Sequence, residues 1–268
     1  MSVGSDFYQF VDGELIRVSD SVDDALSVAD SFLLRDGTVR APLRHFERFA
    51  ASIADEKTRR QLPLFFAEAV RILPTSGDWF PRFEYRSSQP IGQRLFLRIR
   101  TAPERTETCR LWTSTEADPR SNPLIKGPDL SVCQQLRRAA NLHGADEAVI
   151  TDKDGFIADG ALSSLVWWRG STLFGPNHET AWLPSITREL VFSLALQAGY
   201  ETAEEKAKPE DLAGCEIWSL SALQGIRGVT SWEGVKVGEL TLLSPFVKRL
   251  NLLAEALPQP DSLIAQFS

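Results

Sequence analysis

The chain has 268 residues, 43% of them hydrophobic and 24% charged, with a formal net charge of −7 and an isoelectric point near 5.2. That length can bury a sizeable core in one large or two smaller domains. The acidic balance and scattered basic residues argue against a nucleic-acid partner, and no apolar run approaches the ~20 residues of a membrane span.

Met1 to Val11 carries neither a basic start nor an apolar stretch, so no leader peptide is expected. Cys109, Cys133 and Cys215 are isolated and odd in number, which suits a reducing, cytoplasmic setting and no disulfide frame. His45, His143 and His178 lack the spacing of a ligand pair, so no metal is expected.

In chain order, residues 7–18 alternate around Asp12-Gly13 and predict a hairpin. Arg35-Asp36-Gly37-Thr38-Val39 predicts a second turn. Leu43 to Ala54 has helical spacing, with Leu43, Phe46, Phe49, Ala50 and Ile53 on one face. Leu64 to Leu73 predicts another amphipathic helix. Arg94 to Thr101 alternates strictly and reads as a half-buried strand, Leu95, Leu97 and Ile99 inward and the arginines on a solvated face. The stretch from Ser114 to Pro128 is rich in Pro, Ser, Asp and Asn and reads as a connection between domains.

The second half opens with a helix over Leu130 to His143 and a strand over Ala148 to Thr151. The turn Asp152-Lys153-Asp154-Gly155 leads to a strand at Phe156. Leu165 to Trp168 is a short apolar strand whose adjacent tryptophans, Trp167 and Trp168, should face opposite ways, one in and one out. A helix over Thr187 to Ala198 and a strand over Glu216 to Ser219 follow. Strands and helices mix without a clean alternating repeat, which favours an α+β class. The expected organisation is a small N-terminal α/β domain over 1–117, a linker over 118–128 and a larger C-terminal α/β domain over 129–268.

Short motifs with a phosphate loop, a nucleophile elbow or a zinc helix are absent. The informative residue is Lys126, in the apolar patch Pro123-Leu124-Ile125-Lys126-Gly127 and the one lysine between Lys57 and Lys153. Apolar surroundings lower a lysine's pKa, which a Schiff-base amine requires. On spacing alone, a solvated linker lysine is the competing reading.

From Ile125 onward the sequence resembles the class IV aminotransferases, the fold-type IV pyridoxal-phosphate enzymes. That group includes branched-chain and D-amino-acid aminotransferases and aminodeoxychorismate lyases. The segments that carry the resemblance are Ile125-Lys126, Gly144 to Ala148 with Asp154-Gly155, Asp159 to Leu165, Leu183 to Arg188, and Glu216-Ile217-Trp218 through Gly225-Ile226. In the first half, Ala29 to Phe32, Asp36-Gly37 and His45-Phe46-Glu47-Arg48-Phe49 match as well. Lys126 precedes Asp146 by 20 residues and Asp159 by 33, which fits the lyase branch without a gap.

The resemblance implies a fold of two α/β domains with pyridoxal 5′-phosphate between them, held as a Schiff base on Lys126, in a homodimer. It implies that Asp159, where the family keeps Glu, holds the pyridine nitrogen's proton. Otherwise Asp159 is a turn residue before Gly160. Arg48 would pair the phosphate with its guanidinium fork, or else is a helix-surface arginine one turn from Arg44. Ser185, Ile186 and Thr187 would present backbone N–H groups and a hydroxyl to the phosphate at a helix start, compatible with a plain N-cap. The family's small hydroxyl after the Glu216 strand falls on Ala222, with Ser221 as its substitute.

Three departures stand out. Lys126 is followed by Gly127-Pro128-Asp129-Leu130 where the lyases keep an Asn-Arg pair, Asp159 and Ser164 replace Glu and Asn, and the region between Arg100 and Lys126 is short. The implied reaction is amino-group transfer between an amino acid and a 2-oxo acid. The alternatives are aminodeoxychorismate lyase and a non-catalytic relative.

Overall fold

A computed structural model of the protein describes residues 5–19 and 25–267; Met1 to Gly4, where the reading of the N-terminus begins, lie outside them. The described chain mixes helices and sheets, as an α+β class requires. It divides into two compact units: Met1–Glu104 with Ile125–Pro128 and Leu253–Ser268, and Arg105–Leu124 with Asp129–Leu252.

The first unit holds a five-stranded sheet in the order Glu14–Arg17, Asp6–Val11, Leu95–Ile99, Arg82–Tyr85, Val28–Ser31. Its first hairpin turns on Asp12 and Gly13, both at positive φ (50° and 91°), the conformation of a two-residue turn that matches strand twist. Asp36 and Gly37 repeat the device at 45° and 76° between Leu34–Arg35 and Thr38–Arg40, two strands of a second sheet of four. Helix Pro42–Ala51 starts on a proline, tolerated where no intrahelical N–H is needed, and buries His45, Phe46 and Phe49. Those rings join Phe32, Phe65, Phe66 and Phe83 in one core. Ile125 packs against the same core. The helix Pro260–Phe267 packs on helix Leu62–Ile72, so the chain's end belongs to this unit.

The strand at Leu95–Ile99 corrects an expectation. Leu95, Leu97 and Ile99 do face the core, but Phe96 is also buried and Arg98 is not solvated. Both faces of the strand are covered. Arg98 donates from Nε to Glu84 at 3.0 Å, and its guanidinium lies 4.3 Å over the Phe7 ring.

The second unit is built on an eight-stranded sheet: Ile157–Gly160, Glu147–Thr151, Thr108–Thr113, Gly225–Trp232, Glu216–Ser221, Ser164–Arg169, Thr172–Pro176, Glu201–Glu205. Thr108–Thr113 is a central strand although its sequence, with Arg110 between Cys109 and Leu111, reads poorly as one. Here too an expectation fails. Trp167 and Trp168 face opposite sides, but both are buried because each face of the sheet carries its own core. Trp167 donates to Glu205 at 2.6 Å, and Trp168 meets Tyr200, Trp218 and Phe246 edge-on. Residues 114–129 form neither helix nor strand. Among the described residues, no helix is long and apolar enough to cross a membrane.

Candidate functional site

In the first unit, the segment that carries Lys126 lies along the strand Val28–Ser31. Ala29 N donates to Lys126 O at 2.6 Å. Gly127 follows at φ 140°, and a Cβ there would come within 2.7 Å of Ala29 N and 2.8 Å of Val28 Cα. Only glycine permits so close an approach, so Gly127 fixes where the Lys126 backbone sits. The lysine is half-buried.

One residue along that strand, Asp30 is fully buried. Arg48 grips it with Nε to Oδ2 at 2.7 Å and Nη2 to Oδ1 at 3.0 Å, and His45 Nδ1 lies 2.8 Å from Oδ1. Burial by itself would raise the Asp30 carboxyl, but Arg48 and His45 outweigh it and hold it well below the usual carboxylate range. His45 is pushed down, first by burial, with Asp30 opposing and with Arg48 and Lys126 adding like charge. The ring is therefore neutral near pH 7, and its Nδ1–H donates to Asp30. Arg48, Lys126 and His45 thus lie in one electrostatic neighbourhood, but two of the three Arg48 nitrogens are already engaged by Asp30.

In the second unit, Asp159 is the penultimate residue of the strand Ile157–Gly160 and is buried. Its Oδ1 accepts Gly160 N at 3.1 Å, and its Oδ2 accepts Leu183 N at 3.0 Å and Arg120 Nη1 at 3.3 Å. Gly160 turns so tightly that its N–H reaches Ser163 O at 2.8 Å, where a Cβ would come 2.7 Å from that oxygen. Arg120 is buried and shared: it also donates to both Asp118 oxygens (2.9 and 2.8 Å) and to Ala181 O (2.6 Å). Burial pushes the Asp159 carboxyl up to about 6, opposed by Arg120 and the two amides.

Leu183 leads directly into Ser185, the N-cap of helix Ile186–Gln197, whose side chain accepts Arg188 N. Ile186 and Thr187 are buried in its first turn. The Asp159 carboxylate and this helix start are therefore joined by three residues of backbone. Arg188 is structural: it donates to Pro176 O and Glu204 and stacks 3.9 Å from the Trp182 ring. Ser221 ends the strand Glu216–Ser221, and its hydroxyl accepts Gln224 N at 3.1 Å within its own turn; Ala222 lies in that turn.

Residue-by-residue reading passed over four participants. Asp30 hides in an apolar-looking strand, and its role depends on helix Pro42–Ala51 packing over it. His45 stood in a matched motif without a role. Arg120, six residues before Lys126, looked like a polar loop residue. Asp129, read as a departure, accepts Ser121 N at 3.0 Å and Asn122 N at 2.7 Å and so closes the loop that carries Lys126. Among the described residues, no cluster of His, Cys, Asp or Glu could hold a metal ion.

Comparison with known proteins adds sequence and fold. Residues 27–232 match the family described as Amino-transferase class IV. The branched-chain-amino-acid aminotransferase of Escherichia coli (strain K12) is 32% identical over 113 residues, 42% of this chain and 36% of that one. Aminodeoxychorismate lyase of Bacillus subtilis is 27% identical over 93 residues, 34% and 32% of the two chains. These matches span about a third of each curated relative's length. A hypothetical aminotransferase from Mycobacterium tuberculosis in its PLP-bound form superposes with a TM-score of 0.76 at 17% identity, over 93% of this chain and 98% of that one. The E. coli branched-chain amino acid aminotransferase superposes at 0.74 and 20%, over 93% and 94%. At such identities the likeness is one of fold.

Proposed function

The chain belongs to the class IV aminotransferase family, and from that premise we propose that it is a pyridoxal-phosphate enzyme that moves an amino group between an amino acid and a 2-oxo acid, with Lys126 as its cofactor anchor. The observation that carries the assignment of Lys126 is its seat. Gly127 lies flush on the strand Val28–Ser31, and Ala29 N holds Lys126 O at 2.6 Å, beside the Asp30–His45–Arg48 cluster. A lysine in mobile solvent would not need such a seat.

The side chains present fit the group. Asp159 is a buried acid, the Ser185 cap and first turn offer N–H donors to a phosphate, and Arg48 supplies positive charge. Bound pyridoxal phosphate supplies an electron sink for charge that develops at the substrate's Cα. With the cofactor bound, Lys126 Nζ would accept the proton lost from the substrate's Cα and would deliver it to the cofactor side of the amine, which amino-group transfer requires. Asp159, with its value near 6, is mostly ionised at pH 7 and would hold a protonated ring nitrogen. Arg48, held on Asp30 through Nε and Nη2, would add its positive charge on the phosphate side. Ser221 and the Ala222 amide would complete the phosphate side. A homodimer in the cytoplasm is part of the same reading.

The test is a visible spectrum of purified protein. Lys126→Ala should abolish the band of lysine-bound cofactor, and Lys153→Ala should leave it; the reverse would remove Lys126 from the role. A protein that is colourless and takes up no cofactor would be a non-catalytic relative. The likeness to a lyase favours one second reading, release of pyruvate and 4-aminobenzoate from aminodeoxychorismate. Incubation with that compound, against amino donors with 2-oxoglutarate, separates the two.

A further inference from the structure

Asp30 is an acid in an apolar place. On the strand Val28–Ser31 it shares a face with Val28 and stands directly across from Phe83, and both of those residues belong to the phenylalanine core. Its neighbour His45 lies against Phe32, with 5.4 Å between ring centroids. The Asp30 side chain is 1% exposed and that of Arg48 17%, so the acid is sealed inside and the arginine lies nearer the rim. A buried ion pair is a poor source of stability, since apolar residues of similar volume often serve as well or better. Packing alone gives no reason for a carboxylate at this position.

What the carboxylate does is occupy Arg48. Nε and Nη2 form one edge of the guanidinium, and both donate to Asp30, at 2.7 and 3.0 Å. That edge is closed to any other oxyanion. Arg48 and Lys126 bring positive charge to this neighbourhood, His45 is neutral, and Asp30 cancels one of the two cations. A phosphate monoester carries between about 1.5 and 2 negative charges at pH 7. It meets an arginine that is already balanced, and a fixed anion behind that arginine repels it.

The weakness matters for one form of the cofactor above the other. The aldehyde form can bond to Lys126 Nζ through its carbonyl carbon, with loss of water. Amino-group transfer leaves an amine in place of the aldehyde, and this form, pyridoxamine 5′-phosphate, has no covalent hold on the lysine. Its retention depends on ring and phosphate contacts alone.

We propose that Asp30 sets how firmly the cofactor is kept: by holding Arg48 in a closed fork it leaves the phosphate lightly gripped, so that the chain retains its cofactor through Lys126 and releases it when it carries the amino group. The proposal rests on Lys126 as the cofactor anchor.

The holoprotein is dialysed in each cofactor form, and the apoprotein is titrated by calorimetry with pyridoxamine 5′-phosphate and with its phosphate-free counterpart, pyridoxamine. Wild type should keep pyridoxal 5′-phosphate through dialysis and lose pyridoxamine 5′-phosphate. Asp30→Asn keeps the size of the side chain and an oxygen for Arg48, and the neutral His45 ring can change tautomer to accept the new amide NH2. This variant should bind pyridoxamine 5′-phosphate at least about tenfold more tightly than wild type, with the affinity for pyridoxamine unchanged. Thermal melts establish that it is folded and give a second reading. Inorganic phosphate should raise the Tm of Asp30→Asn more than that of wild type, because it replaces a lost counter-ion. If Asp30 instead only orients Arg48 for the phosphate, Asp30→Asn binds pyridoxamine 5′-phosphate more weakly, and the proposal is overturned. Wild type that retains pyridoxamine 5′-phosphate through dialysis overturns it without any variant. The visible band of lysine-bound cofactor separates the two claims. A band that survives Lys126→Ala removes the anchor and this proposal with it, whereas a band abolished by Lys126→Ala, with no gain of affinity in Asp30→Asn, removes the role of Asp30 alone.

Discussion

Asp30 and Asp159 are both buried aspartates beside an arginine, yet their carboxyls are driven in opposite directions. Asp30 has a guanidinium fork on both oxygens and an imidazole as well. Asp159 has one arginine contact, at 3.3 Å, from an Arg120 that is shared with Asp118 and Ala181 O. Burial dominates where compensation is thin, so Asp159 rises to about 6 while Asp30 falls. The contrast assigns the two acids different work. Asp30 is a permanent anion that clamps Arg48 and His45 beside the lysine segment, whereas Asp159 is poised near neutrality, where a group that shares a proton is useful.

Breaking the stronger pair should have the largest effect. Asp30→Ala leaves Arg48 without its buried counter-ion and should cost about 3–5 kcal/mol of stability by chemical denaturation. A loss below about 1 kcal/mol would mean that water already compensates the arginine.

Asp159→Asn sharpens the contrast through pH. A folded value near 6 against an ordinary 3.8 means the fold binds that proton more tightly. Its stabilising contribution is present below about pH 4 and is lost as pH rises through 6, about 3 kcal/mol in all. The variant should flatten that decline in the apoprotein and release pyridoxal phosphate on dialysis. Asp30 and His45, both depressed, act with the other sign. The His45 contribution is present above 6.5 and lost on acidification below it, and that of Asp30 is lost below the ordinary carboxylate range. An Asp30→Asn variant should therefore lose acid sensitivity, not gain it.

Two smaller changes probe the settings. Gly127→Ala must move a Cβ away from Ala29 N at φ 140°, which should cost about 1–3 kcal/mol and slow cofactor attachment; an unchanged rate would show that the lysine's seat does not control its reactivity. Arg120→Met, by removing the cation that opposes burial, should move the pH midpoint of the cofactor's spectrum upward by about one pH unit. No movement would remove Arg120 from control of Asp159.

Much of the fold was readable from local chemistry. The Asp12-Gly13 and Asp36-Gly37 turns, the helix at Pro42–Ala51 and the apolar strand at Ser164–Arg169 each declare themselves through turn residues or periodicity. Thr108–Thr113 did not, because a central strand is defined by its neighbours on both sides and not by its own alternation. The candidate site divides the same way. Lys126, Arg48 and Asp159 could be singled out by motif order, but Asp30, Arg120 and Asp129 could not, since their partners lie 18, 39 and 8 residues away.

By itself, then, the sequence determined which groups are available: one lysine in an apolar patch, an acid 33 residues on, and an alternation of arginines along one strand. Tertiary structure decided their charge states and company. Arg98 turned out to be half-buried and paired with Glu84, and two aspartates of identical chemistry became one fixed anion and one titratable acid. The reason is that desolvation and ion pairing depend on what packs around a group in space, and neighbours brought from distant parts of the chain leave no mark on local spacing.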